Sequence, residues 1–137
     1  MTPASFVRRA GAHLVDAGLP ALGLLVIARA LARFHHSPAP IALAGLGVLA
    51  VLVFAVWNTG IRQGGTGQSL GKRATGIRLV GVVGGRPVGF GRAVLRQAAH
   101  LLDTLPLYLG YLWPLWDDAR QTFADKVCAT VVVRVEG

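Results

Sequence analysis

From Ile41 to Trp57 the chain carries no charged side chain, and the run includes four Ala and two Gly. It reads as a helix crossing hydrocarbon, which needs ~20 apolar residues, with Trp57 as an anchor at the interface. A second apolar run precedes it, from about residue 10 to 32, with Arg29 and Arg33 placed to snorkel at its far end. A third covers residues 94–116 and ends in an aromatic cluster of Tyr108, Tyr111, Trp113 and Trp116. The mean hydropathy of +0.55 exceeds that of an ordinary soluble domain of 137 residues. The expected class is therefore a mainly α membrane protein of about three apolar helices, folded as a single domain over residues 1–137.

The charge pattern agrees with that class. The net charge is +8, and seven of the fourteen basic residues lie from Arg62 to Arg96, between the second apolar run and the first turn of the third. No acid lies between Asp16 and Asp103. A basic loop over residues 58–92 marks the cytoplasmic side by the positive-inside rule, and Arg8-Arg9 place the N-terminus there too. The expected location is thus the cell membrane, multi-pass. Nucleic acid is excluded as a partner, since Phe90 is the one aromatic in that basic region. The N-terminal run is too long for a signal peptide and carries Asp16, so it reads as a retained span. A single cysteine, Cys128, cannot form an internal disulfide and reads as a small buried hydrophobe.

Within the apolar frame one polar pattern occurs twice. Arg9, His13 and Asp16 recur at the same offsets as Arg96, His100 and Asp103. Positions i, i+4 and i+7 share one helix face, so each copy is a stripe of cation, imidazole and carboxylate. Charge in hydrocarbon is expensive unless paired. The expected pairing is crossed, Arg9 with Asp103 and Arg96 with Asp16. Both copies lead into a Leu-Pro pair, Leu19-Pro20 and Leu105-Pro106, and Pro106 is expected to kink or end the third helix.

Residues 58–71 are rich in Gly, Thr, Ser and Gln and lack apolar periodicity, so they read as loop. Gly67 to Arg73 lacks the spacing of a nucleotide-binding P-loop, and no strand is expected before it. Lys72, Arg73 and Arg78 are candidate contacts for anionic lipid headgroups. Ile77–Val83 and Arg86–Phe90, flanking Gly84-Gly85, read as a β-hairpin, and Thr130–Val135 as a third strand. Phe123–Lys126 reads as a short helix before that strand. The His35-His36 pair lacks a third ligand nearby, and no metal or cofactor is expected.

Two topologies compete. A 23-residue third segment is long enough for a full crossing, which favours three crossings with the tail outside. Pairing of the tail strand with the cytoplasmic hairpin instead demands a re-entrant third segment turned near Pro106.

Arg9 followed by Asp16, the block Ser69-Leu70-Gly71-Lys72-Arg73-Ala74-Thr75-Gly76-Ile77-Arg78-Leu79-Val80, and the close Gln121…Asp125…Ala129-Thr130-Val131-Val132-Val133 together resemble the RDD family, named for one arginine and two aspartates. Leu70 and Ala129 stand where that family usually has Pro and Gly, so the local turns differ. The internal repeat assigns the second aspartate to Asp103, and the tail motif assigns it to Asp125. The resemblance implies an integral membrane protein, with transport of an unidentified ligand as the usual suggestion.

For function, the polar set Arg9, His13, Asp16, Arg96, His100, Asp103 and Asp125 supports a transporter or channel component for an ion or small solute. A chain this small would then work as a homo-oligomer. The same residues can equally form a neutral network that fixes helix register. The alternative class is a non-catalytic accessory or assembly subunit of a larger membrane complex. An enzyme is not expected: no nucleophile, metal cluster or nucleotide motif accompanies the histidines.

Overall fold

The computed structural model describes residues 2–33 and 38–135; His35 and His36 lie outside them. Helix α1 runs Phe6–Arg33 and α2 runs Pro38–Ala55. The second helix does not stop at Trp57, as its sequence predicts. It widens into a π-helical stretch, Val56–Arg62, and continues as α3, Gln63–Thr66, before the left-handed Gly67 ends it. Gly60 and Gly64 there leave room for close neighbours, Gly60 for the Phe90 ring and Gly64 for the Gly89 backbone.

α1 and the helix from Ile41 to Thr66 are each long and apolar enough to cross a membrane. They pack on one another side by side. Elsewhere their apolar side chains point outward: Leu22, Leu25 and Val26 on α1 are half exposed or more, as are Ile41, Leu46 and Val53 on α2. Contiguous apolar surface on this scale needs a nonaqueous cover. Pro20 lies inside α1 without ending it. Its missing N–H frees the carbonyl of Asp16, one turn earlier.

At the other end of this helical pair lies the polar half of the molecule. It comprises α4 (Leu70–Ala74), β1 (Ile77–Gly81), α5 (Phe90–Thr104), α6 (Leu109–Leu112), α7 (Phe123–Val127) and β2 (Thr130–Arg134). β1 pairs antiparallel with β2, Ile77 opposite Arg134 and Gly81 opposite Thr130. The chain's first residues add to the other edge of β2, with Pro3 bridging Val133 and the Ala4 N–H donating to the Val132 carbonyl at 2.9 Å. Ala4, Ala12, Ile77, Leu79 and Val132 form the core beneath this sheet.

The expected hairpin does not form. Gly84 and Gly85 both adopt positive φ, and the Gly81 N–H closes on the Arg86 carbonyl at 2.9 Å. Beyond that turn Pro87 has no N–H to give, and Arg86–Phe90 is not a strand. The β-branched tail takes the vacant edge of β1 instead.

This pairing bears on the two topologies. β1 precedes α5 and β2 follows α7, so the segment between them returns to where it began. Among the described residues two helices are long and apolar enough to cross a membrane, and a turned-back segment stands where a third long apolar helix was expected. The turn is visible: α5 ends at Thr104, and Leu107 and Tyr108 take left-handed conformations, φ 52° and 64°. Pro106 cannot continue the helix, and the reversal that follows brings α6 and α7 back against α5.

Candidate functional site

The organising group of the polar half is Asp125, which is fully buried. Thr122 and Asp125 form a capping box at the start of α7: the Asp125 N–H donates to Thr122 Oγ1 and the Thr122 N–H to Asp125 Oδ2. The same carboxylate accepts from Arg9 at 2.8 Å, from Arg96 Nε at 2.7 Å and from Thr130 Oγ1 at 3.1 Å. One side chain thus ties together α1, α5, α7 and β2. Burial alone would raise its pKa; Arg96 and Arg9 overcome that and hold the carboxyl well below the usual carboxylate range.

The crossed pairing expected for the two stripes is not observed. Among the described residues Arg9 and Arg96 pair with Asp125, while Asp16 and Asp103 take other partners. The physical reason is economy of donors. Asp103, itself fully buried, accepts the Phe123 and Ala124 N–H groups at the open end of α7, at 2.8 and 3.3 Å, and pairs with His100 Nδ1 at 2.6 Å. Asp16 accepts from Asn58 Nδ2 at 2.8 Å, Ser69 Oγ at 2.5 Å and the Gly71 N–H at 2.8 Å. The stripes still converge, but on third parties. Both arginines meet at Asp125, and the rings of His13 and His100 lie 6.1 and 5.4 Å from that of Tyr111, the latter pair stacked.

Nothing in the residues around Asn58 singles it out beforehand. It lies in the π-helical stretch, is 1% exposed, donates to Asp16 and accepts the Leu70 N–H at 2.8 Å. A π turn rotates its side chain out of the ordinary helical register, as such bulges do at functional sites. Asn58→Leu is expected to strand two buried polar partners and to cost about 1–3 kcal/mol, read as a lower unfolding midpoint in detergent.

These elements enclose a cavity of about 530 Å³ between α1, the π turn, α4 and α5. Arg9, His13, Asp16, Lys72, Arg96 and His100 line it, together with Asn58, Gln63, Gln97 and the two tyrosines Tyr108 and Tyr111. Five of the seven residues singled out in the polar set therefore line this cavity, with Asp125 behind the two arginines and Asp103 behind His100. The three basic residues grouped as lipid contacts separate: Lys72 turns inward, whereas Arg73 and Arg78 lie exposed on the outer surface. Burial, with Arg96 adding to it against the pull of Asp16 and Asp125, lowers the Lys72 pKa to about 8. Cys128 is buried beside Ala99 and Ala124, as a small apolar residue. No group of His, Cys, Asp and Glu among the described residues is arranged to hold a metal ion.

Comparison with known proteins places this arrangement. The proline-rich antigen homolog of Mycobacterium tuberculosis is 46% identical over 84 residues, which is 61% of this chain and 35% of that protein. The proline-rich antigen of Mycobacterium leprae is 42% identical over 98 residues, 66% of this chain and 39% of that protein. The chain thus spans less than two fifths of the length of these relatives. No solved structure matches it. The model of the RDD family matches residues 3–129, from the strand-forming lead to the residue before β2. The chain belongs to the RDD family.

Proposed function

We propose that this domain crosses the membrane twice, with its termini and basic loop on the cytoplasmic face, and binds a small ionic solute as a component of a transporter or channel. The observation that carries this reading is the cavity: Arg9, His13, Asp16, Lys72, Arg96 and His100 together line a partly open volume of about 530 Å³ beside two apolar helices. Ionisable groups within or beside membrane-crossing helices are functional-site candidates by default.

Gln97 lies on an exposed position of α5 at the cavity wall, so Gln97→Trp should obstruct the cavity without disturbing the Asp125 network. Proteoliposomes loaded with rubidium, chloride and inorganic phosphate are expected to release at least one of them faster than protein-free liposomes. Gln97→Trp is expected to return that release to the protein-free rate. Equal release from wild-type and empty liposomes would contradict the transport reading. In that case a fixed-ratio complex with larger proteins, extracted from the native membrane, would support the accessory-subunit reading.

A further inference from the structure

We infer that the solute is an anion carrying a phosphate or carboxylate group, held in the cavity by Lys72 with Arg9 and Arg96 behind it. This rests on the reading of the cavity as a solute site and adds the sign and chemistry of what enters it.

Three cationic side chains reach the cavity, Arg9, Lys72 and Arg96, against one carboxylate, Asp16. Asp16 is already spent on three donors from Asn58, Ser69 and Gly71. Asp125 neutralises one of the two arginines, and all four of its contacts are taken. Asp103 does not line the cavity, and it is committed to His100 and to the backbone of α7. Among the groups that line the cavity, three cations thus face one carboxylate.

The hydrogen-bond ledger points the same way. Lys72 Nζ makes no hydrogen bond or ion pair among the described residues, although its helix is fixed by the Ser69 cap, whose hydroxyl accepts the Lys72 N–H. Arg9 Nε is buried without a partner, and so is Gln63 Oε1, on a side chain 1% exposed. Lys72, Arg9 and Gln63 all line the cavity, and cationic donors with an amide acceptor suit an oxyanion that also carries a hydroxyl or a protonated oxygen. The depressed Lys72 pKa is what an ammonium without a counter-ion displays, and an anion bound there would raise it again.

Such a group could arrive as a free solute or as the headgroup of an anionic lipid entering between α1 and α5. The chain has two lysines, Lys72 and Lys126, and the second is ion-paired to Asp117 outside the cavity. Amine-selective acylation read by mass spectrometry therefore reports the cavity with an internal control. In phosphatidylcholine nanodiscs, inorganic phosphate at ten times its dissociation constant should slow Lys72 acylation roughly tenfold relative to chloride at equal ionic strength. Lys126 should be unaffected. Protection by added phosphate assigns a free anion; protection in phosphatidylglycerol nanodiscs without phosphate assigns a headgroup. The Arg73→Gln, Arg78→Gln double variant should keep the phosphate protection, because both residues face outward.

Loss of protection in that variant would move the anion to the outer surface and overturn the inference. So would a Lys72 rate equal under all conditions, or a Lys72 that never reacts in phosphate-free nanodiscs. If solute release is still abolished by Gln97→Trp while Lys72 is unprotected, the cavity remains a solute site and only its anionic character fails.

Discussion

Asp125→Asn is expected to destabilise the protein by about 3–5 kcal/mol, the range for removing one partner from a buried ion pair. The amide keeps the shape and loses the charge. Arg96, 5% exposed, and Arg9 would then face each other across a neutral group, with the capping box of α7 weakened at the same time. The expected readout is loss of the folded monomer from detergent extracts, or a sharply lowered unfolding midpoint. The wild-type protein should reproduce part of this by acid alone. A carboxyl whose folded pKa is depressed contributes stability that is complete above its unfolded value of ~3.9 and is lost as pH falls through the folded value. Detergent-solubilised protein should therefore hold its unfolding midpoint between about pH 7 and about pH 5 and lose it below about pH 4. A midpoint insensitive to Asp125→Asn would mean that the arginines find other anions.

Gly71→Ala is the second large effect, and its origin is steric. A methyl group at Gly71 would overlap the backbone carbonyl of Ala12 on α1, with the Ala12 carbon at 2.8 Å and Asp16 Cγ at 2.9 Å. The obstacle is main chain at the closest approach of α1 and α4, which cannot swing aside as a flexible side chain would. The Gly71 N–H also donates to Asp16, so parting the helices breaks that bond as well. A cost of about 3 kcal/mol or more is expected, at the upper end of overpacking penalties, with thermal unfolding as the measure. Gly65→Ala, where an added methyl meets nothing within 4 Å, should be nearly silent and serves as the control.

Much of this architecture was legible before any coordinates. Apolar length located both long helices, and the repeated Arg-His-Asp spacing picked out residues that do converge on one region. β-branched composition identified β1 and β2 as strands. What failed had local causes. Apolar runs flanking Gly84-Gly85 predict a hairpin, and Pro87 and the competing tail strand decide otherwise. The crossed ion pairs were drawn from symmetry between two stripes, but symmetry carries no information about backbone donors. Asp103 went to the open end of α7 and Asp16 to the Gly71 turn, leaving Asp125 for both arginines. One signal for that role was present: Thr122-Phe-Ala-Asp125 has the spacing of a capping box at a helix start. Asn58 had no such signal, because a π turn changes which face a side chain occupies and leaves no mark on hydropathy.

The cavity, the Asp125 junction and the turned-back segment after α5 all require β1 and β2 to share one face of the membrane. A Cys128→Ser background carrying single cysteines at Arg86 and at Val135, both exposed, tests this with a membrane-impermeant maleimide. A third cysteine at Ile41, at the far end of α2, supplies the opposite reference. Right-side-out and inside-out vesicles are expected to label Arg86→Cys and Val135→Cys together, from the cytoplasmic face, and Ile41→Cys from the other. Labelling of Arg86→Cys and Val135→Cys from opposite faces would separate the strands, restore a third full crossing, and contradict the site built on their pairing.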